Sequence, residues 1–516
     1  MPSAQDELVE ELSRLERAGD LNAALGLLRA RQLTPNALAA VALALYRRSL
    51  SAIAFLIVQM LLDNGIEHWT LLALSAHLGT RLGQGEAAAR STSRLIALFA
   101  AADADQRRSL RNLLDPLLPC DAVMAARSGN HALTRALAQL WAAAVPETTR
   151  RFAIPPADRP PDIARFREPG DPAQLHRFDA PPRGAPRIAR KAVVAIRHLW
   201  IPAQPASREH DVPARIASAL EAYGWQARRH DLRSLEDPAI VAADYAAIAA
   251  LCRDWEADLL ILDDFQPNRA GKAAGEIVRA LRRERPQLKI AGLYMDPWVV
   301  ELWGEIEAGA ALLDCTWSPV VTDLWQRRAF AGKMLFATWP HGGAYPPPPP
   351  LQAVLSFGGG VQYSNWDRAF WLGAFAEAKL PLRIEVSDHA EDKLDPLASY
   401  RAYMLKAATG EAVLNFARRF NDLHTLTGRT FETLATGGLL IQERSDDIDR
   451  FFVANRHYLR FETLTDLFDI VHLLRAEPEL AESIRREGAA FFQERYADDR
   501  LIAYLDHALF HRRAGK

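Results

Sequence analysis

The chain has 516 residues, of which 49% are hydrophobic and 24% charged, and its formal net charge is −2. That balance excludes the global basic field that nucleic acid or an anionic membrane would select. The N-terminal MPSAQDELVEELSRLERAGD is acidic and polar, unlike a signal peptide. The most apolar stretch, SLSAIAFLIVQMLLDNG, holds an uninterrupted apolar run of only AIAFLIV, too short to span a bilayer. Cys120, Cys252 and Cys315 lie far apart and form no metal-ligand pattern, so a reducing cytoplasm is the expected compartment.

Residues 1–147 read as an all-α, helical-repeat-like domain. Leu and Ala recur at spacings of three and four in ELVEELSRLERAGDLNAALGLLRARQ. AGDLNAAL, LGQGEAAA and SGNHALTRAL look like degenerate copies of one helix start, a Gly-containing turn followed by small residues that let helices pack closely. Helix hairpins repeating every 34 residues or so would give this rhythm, as in a tetratricopeptide-like array; an unrelated helical bundle is the alternative.

Residues 148–190 are expected to be a Pro-rich linker. Ten prolines fall between Pro146 and Pro186, a density that prevents helix and sheet. Phe152, Ile154, Phe166 and Phe178 give the connector apolar anchors along a domain surface.

From residue 191 strands and helices alternate. KAVVAIRHLW, QARRHDL, ADLLILDDF, LKIAGLYMD, ALLDCTWS and MLFATWP read as strands, separated by helices such as VPARIASALEAYGW and KAAGEIVRALRRERP. This pattern predicts an α/β domain over 191–345 with a parallel sheet and helices on both faces, its ligand sites at the carboxyl ends of the strands. Five prolines, Pro346 to Pro350, then form a stiff spacer expected to belong to a hinge. Alternation resumes with AVLSFGGG, LPLRIEV, EAVLNFA, LLIQE and YLRF, a second α/β domain over 346–516 ending in a crossover helix. A cleft between two such domains is the default binding site.

Residues 191–511 resemble GT-B fold glycosyltransferases, specifically the CgeB-like and group 1 families. The resemblance rests on GRTFETLATGGLLIQER, with Arg429, Glu432, Ala435, Gly437 and Gly438 before a strand. It is supported by VLSFGGG followed by WDRAFWLGAF, by VLNFARR, by MLFATWPHGGAYPPP, by GLYMDPW and by the closing LAESIRREGAAFFQERYADDRLIAYLDHAL. It implies a nucleotide-diphosphate sugar as donor, a glycan or protein as acceptor, and an enzyme that needs no cofactor and no metal. The helical domain would recognise the acceptor, bind a protein partner or self-associate. No transmembrane segment and no nucleic-acid partner is implied.

Within that resemblance, Arg429 is assigned to the donor phosphates and Glu432 to the ribose diol, one helical turn apart. An exposed ion pair between them is the plain alternative. Gly358, Gly359 and Gly360 allow backbone approach to phosphate, with Arg368 in reach of the same anion. Asn415, ending a strand, is placed to contact base or phosphate, or to form a turn. Gly437 frees the helix end of side chains beside the cleft. Retaining group 1 enzymes carry two glutamates eight residues apart, and counting back from Glu432 gives His424, which leaves retention or inversion open. His424 contacts donor sugar or phosphate, or is an ordinary loop residue. Asp296 is a general-base candidate that also suits a helix cap before Pro297. His198, following the first strand, is a second catalytic candidate with Arg429, and Asp263 and Asp264 end a strand in the same way. His341, in the interdomain loop PHGG, is expected to line the cleft rather than do chemistry. No Asp-x-Asp motif, the metal-diphosphate clamp of the other large glycosyltransferase fold, is read in the chain; LDDF and SDDIDR are taken as near misses of the wrong spacing or context. A nucleotide-sugar epimerase and a non-catalytic scaffold are the competing functions.

Overall fold

The structure is a computed structural model that describes residues 4–47, 50–107, 109, 133, 136–137, 139–140, 155–156, 158–172, 175, 183, 187–200, 207–235, 237–295, 302–318, 333–358, 371, 375, 378–385, 396–417 and 426–511. The chain divides into two compact units. One comprises Met1–Arg159 with Val361–Leu380 and Thr463–Thr465, and the other Pro160–Gly360, Pro381–Glu462 and Asp466–Lys516.

The first unit begins with six helices: α1 (Ala4–Arg17), α2 (Leu21–Ala30), α3 (Pro35–Arg47), α4 (Ser51–Asp63), α5 (Trp69–Arg81) and α6 (Gly85–Ala101). Taken as pairs, they begin at Ala4, Pro35 and Trp69, so the repeat is 31 and then 34 residues. The expected Gly turns are present. Gly19 and Gly83 take positive φ between the helices of a pair, and the Asp20 carboxylate caps α2 by accepting from the Ala23 N–H. At Gly79 a Cβ would stand 3.2 Å from the Ala88 nitrogen, so α5 and α6 meet where small residues permit it. SGNHALTRAL lies largely outside the described residues.

The second unit holds two separate sheets. The first contains β1 (Lys191–Trp200), β2 (Ser207–Glu209), β3 (Gln226–Leu232), β4 (Leu259–Asp263), β5 (Lys289–Leu293), β6 (Cys315–Ser318) and β7 (Met334–Phe336). The order is β3-β1-β4-β5-β6-β7, all parallel, with the short β2 antiparallel to the end of β1. The helices α7 (Asp211–Tyr223), α8 (Pro238–Asp254), α9 (Ala273–Glu284) and α10 (Trp303–Ala310) fall between strands. Alternate residues of β1 feed two cores. Ala192, Val194 and Ile196 pack with Val212, Ile216 and Leu220 of α7, while Val193 and Ala195 pack with Tyr245 and Ile248 of α8 and Val278 of α9. Strands buried on both faces explain why their sequences are apolar runs rather than alternating patterns.

The second sheet contains β8 (Leu355–Gly358), β9 (Leu382–Glu385), β10 (Ala412–Asn415), β11 (Leu439–Glu443) and β12 (Leu459–Phe461), ordered β12-β11-β10-β8-β9 and parallel throughout. Its helices are α11 (Pro396–Ala407), α12 (Gly428–Ala435), α13 (Leu464–Ala476) and α14 (Pro478–Arg495). Then α15 (Asp498–Asp506) returns to the first sheet, where Leu501, Ile502 and Leu505 join the α7 core. The architecture is therefore α/β with two doubly wound sheets and an all-helical N-terminal region, as the sequence predicts.

The linker and the proline run both have partners in the second α/β domain, the linker along a domain surface as its apolar anchors imply. The linker is attached to the second α/β domain: Phe166 is buried, Arg165 pairs with Asp466 and Asp469, and the Gly170 N–H donates to the Ala454 carbonyl. Its other predicted anchors, Phe152, Ile154 and Phe178, lie outside the described residues. The proline run is not a free spacer. The Pro349 carbonyl accepts from Arg485, and Gly410 and Gly437 lie against Pro350 and Pro348. With Pro348–Pro350 fixed to the second domain, the crossing between the two sheets falls in the preceding loop His341–Tyr345.

Candidate active site

In both sheets the strand order reverses once, between β1 and β4 in the first and between β8 and β10 in the second. Such reversals open a crevice outside the carboxyl ends of the strands. Gly358 ends β8 and Asn415 ends β10, so both sit at the second reversal. Asn415 is fully buried. Its amide nitrogen lies 2.9 Å from Thr427 and Thr430 Oγ1 and 2.7 Å from Gln442 Oε1, three acceptors shared by two N–H groups, and Thr427 donates back to the amide oxygen at 3.1 Å. The Asn415 side chain thus fixes the entry to α12 from beneath, and it has no exposed surface to offer a ligand.

α12 begins with Gly428 packed on the Trp339 indole, where a Cβ would approach to 2.4 Å. Only glycine allows this contact. Arg429, half-buried, places its guanidinium 5.1 Å from the centroid of the Phe357 ring on β8. Glu432 is 9% exposed, which removes the exposed-ion-pair alternative. Its Oε1 accepts from the Tyr400 hydroxyl and its Oε2 from the Tyr403 hydroxyl, each at 3.1 Å. Tyr403 also hydrogen-bonds Arg429, and burial beside the Glu432 charge raises its phenol above the ordinary range. Arg429 and Glu432 therefore share one partner, on one side of α12.

Gly437 belongs elsewhere. It lies at the far end of α12, with φ +75°, and its N–H donates to the Leu434 carbonyl while the Gly438 N–H reaches back to Thr433. This is a Schellman ending, and the glycine is required by backbone conformation and by the nearby Pro348. Gly437 thus has a conformational reason of its own, at the opposite end of the helix from Arg429.

Around Glu432 the chain assembles groups that no local pattern marks. The Arg215 guanidinium of α7 stands 3.4 Å from the centroid of the Tyr400 ring, donates to Asp211 at 3.1 Å and also donates to the Pro340 carbonyl. His341 is buried, with Nδ1 3.1 Å from the Tyr400 oxygen and Nε2 3.1 Å from Thr338 Oγ1. Burial, with Arg215 nearby, pulls its pKa well below the usual histidine range, so it is neutral. Asp498, opening α15, accepts the N–H groups of His341, Gly342 and Gly343 at 2.7, 2.9 and 3.1 Å. The two chain crossings between the α/β domains are thereby tied to each other. A cavity of about 570 Å³ opens beside them, lined by Arg215, Tyr223, His341, Tyr345, Tyr400 and Asp498 among others.

At the first reversal stand the candidates of the other domain. His198, at the carboxyl end of β1, has Nε2 3.5 Å from an Asp231 carboxylate oxygen. Asp263 ends β4, fully buried, with the Arg197 N–H donating to it at 3.3 Å. Asp264 receives the Arg197 guanidinium at 2.7 Å and the Gln266 amide at 2.9 Å. Asp296, Gly359, Gly360, Arg368 and His424 lie outside the described residues.

Asp-x-Asp spacing does occur in the chain, at Asp103–Asp105 and Asp447–Asp449, contrary to the reading of SDDIDR. Asp449 is taken up by Tyr458 at 2.6 Å and Arg460 at 3.5 Å, and Asp447 is buried. Among the described residues no group of three or more His, Cys, Asp and Glu side chains is arranged to hold a metal ion, and no helix is long and apolar enough to cross a membrane.

Residues 368–506 match the family described as glycosyl transferase-like. That segment contains β9 to β12, Tyr400, Tyr403, Arg429 and Glu432, so the resemblance expected of the second α/β domain holds. No curated protein matches the chain. Solved structures with a similar course include HepE of Anabaena in complex with UDP and glucose, at 10% identity over 62% of this chain and 100% of that one, TM-score 0.39. Sucrose-phosphate synthase of Thermosynechococcus elongatus is 11% identical over 63% and 98%, TM-score 0.41. An O-GlcNAc transferase mutant of Thermobaculum terrenum is 14% identical over 98% of both chains, TM-score 0.36.

Proposed function

We propose that the protein is a glycosyltransferase that moves a sugar from a nucleotide-diphosphate sugar to a glycan or protein acceptor. The observation that carries this reading is Glu432, a carboxylate held by two tyrosines on a helix that starts at the strand reversal of the glycosyl transferase-like segment. A carboxylate offers about four lone-pair sites, and the tyrosines take two. The remaining sites suit a ribose diol. The α12 N-terminus and Arg429 supply positive potential for a diphosphate, whose charge grows as the glycosidic bond breaks. The protein then stabilises the leaving group without a metal ion.

On the acceptor side, His198 and Asp296 are the proposed bases, and Asp263 is too deeply buried to touch an acceptor. An inverting reaction needs such a base; a retaining one does not, and both remain within the proposal. Gly358 to Gly360, Arg368 and His424 complete the proposed donor contacts. The helical region, read as tetratricopeptide-like, would recognise the acceptor or assemble a complex, in the cytoplasm.

The test is a thermal-shift screen of nucleotide-diphosphate sugars. A ligand at 100 times its Kd stabilises the folded chain by about 2.7 kcal/mol, a clear rise in melting temperature. Release of the nucleoside diphosphate in the presence of EDTA then tests turnover and metal independence together. Binding without turnover on any acceptor would favour the scaffold reading, and interconversion of the donor sugar the epimerase reading. No stabilisation by any donor would remove the proposal.

A further inference from the structure

The Tyr400 hydroxyl stands between two groups: the Glu432 carboxylate at 3.1 Å and the His341 Nδ1 at 3.1 Å. A hydroxyl has one proton to give. The carboxylate only accepts, so the proton points to Glu432. Tyr400 must then accept from His341, which puts the imidazole proton on Nδ1. Nε2 is left bare and accepts from Thr338 Oγ1 at 3.1 Å, so the single Thr338 proton turns to the ring rather than to the Trp339 carbonyl at 3.3 Å. The direction of every bond in Thr338–His341–Tyr400–Glu432 follows from the carboxylate at its end. The other end is the first crossing between the α/β domains, whose amides at 341–343 are held by Asp498 of the second crossing. Arg215, from the first domain, presses its guanidinium on the same tyrosine ring.

We propose that Tyr400 and His341 are positioning residues that orient the Glu432 carboxylate for the donor nucleotide and tie its orientation to the interdomain crossings. The proposal rests on the reading of Glu432 as a nucleotide contact. Nothing in the reaction passes through this array; it fixes a side chain. Movement of the crossing shifts His341 and Tyr400, and with them the carboxylate, so nucleotide affinity and domain position are linked.

The experiment is calorimetric titration of the full chain with UDP, GDP, ADP, CDP and dTDP, followed by variants with the nucleotide that binds best. Tyr400→Phe keeps the ring under Arg215 and deletes the hydroxyl; about a tenfold loss of affinity is expected, while turnover at saturating donor stays within about twofold. His341→Leu should give a similar loss, and His341→Asn, whose amide N–H replaces the Nδ1 donor, should restore most of it. A merely structural histidine would not be rescued so selectively. The Tyr400→Phe/His341→Leu pair should lose no more than either alone. In ¹⁵N spectra of the unmutated protein, His341 should carry its proton on Nδ1, a readout that needs no variant to fold. An Nε2–H tautomer, or unchanged affinity in a folded Tyr400→Phe where Glu432→Gln weakens binding, overturns the inference alone. If no nucleotide binds, or Glu432→Gln binds as well as the parent, the glycosyltransferase reading fails first and the inference with it.

Discussion

The Arg215 guanidinium and the Tyr400 ring meet at 3.4 Å although they come from helices that pack on different sheets. Arg215 is 3% exposed, and among the described residues it pairs with Asp211 and donates to the Pro340 carbonyl. Burial alone would weaken its charge; the neighbouring Tyr400, Asp211 and Glu432 outweigh that and raise its pKa. A planar cation is needed to stack and to donate at once. Arg215→Met should cost about 3 kcal/mol, since it strands Asp211 and the Pro340 carbonyl. Arg215→Lys should recover only part of this. Urea unfolding of the three proteins checks it, and a loss under about 1 kcal/mol for Met would mean that the contact is incidental.

Asp263 is buried at the end of β4 and its pKa is pushed up to about 7 by burial, with Arg197 opposing and Asp264 adding to the rise. The unfolded carboxyl ionises near 3.8. Between those values the folded state binds the extra proton, so this group removes stability as pH rises from about 4 to about 7. Asp263→Asn should therefore gain melting temperature over the parent at pH 8 relative to pH 5. A difference that does not change across this window would show that Asp263 titrates normally.

His457 has the opposite sign. Its Nδ1 accepts the Val453 N–H at 3.1 Å and its ring stacks on Phe491 at 4.1 Å. Burial, then Arg456, lowers its pKa from 6.5 to about 4. The unfolded state binds the extra proton between those values, so stability falls as pH drops through that window. His457→Phe should make the decline in the urea midpoint from pH 6.5 to pH 4 shallower, even though the variant loses one hydrogen bond. His341, also held neutral by burial, keeps the decline from vanishing.

Gly437 separates conformation from ligand contact. Alanine at φ +75° costs about 1–2 kcal/mol, and its Cβ would stand 3.1 Å from Pro348 Cδ. Gly437→Ala should lower stability by that amount and leave nucleotide affinity unchanged. Weaker binding at unchanged stability would restore the donor contact that the sequence suggested.

Eleven of the twelve strands among the described residues are expected from the sequence, and KAVVAIRHLW, QARRHDL and LLIQE coincide with β1, β3 and β11. β4 and β11 are legible as apolar runs because a strand covered on both faces leaves no polar side to hide it, whereas β3 is polar and largely exposed and is legible from its place between two helical segments. β2 is missed because Ser207–Glu209 is three polar residues held by pairing with β1. Arg429 and Glu432 are legible because a helix turn brings them together locally. Arg215, Tyr400 and Asp498 are not, since only the folded chain joins positions so far apart; the sequence places His341 in the interdomain loop but does not show its partners. In SYRAYMLK the two tyrosines at i and i+3 read as an ordinary apolar stripe.

Glu432 decides the assignment, and the structure changes how it must be tested. Glu432→Ala would strand the Tyr400 and Tyr403 hydroxyls in a buried site, at about 1–3 kcal/mol for each unsatisfied group, so lost binding could not be told from lost structure. Glu432→Gln keeps one acceptor and the side-chain volume. It should weaken nucleotide binding about tenfold by removing charge-assisted contacts, with a smaller change in melting temperature. Among the described residues, Arg429→Ala breaks a half-buried stack on Phe357 and a bond to Tyr403. It should lower turnover more than ground-state affinity, because negative charge on the leaving phosphate grows in the transition state. Titration and donor-release rates for both variants, beside their melting curves, separate these effects. Two folded variants with unchanged affinity and turnover would take α12 out of the active site and leave the matched family segment without its chemistry.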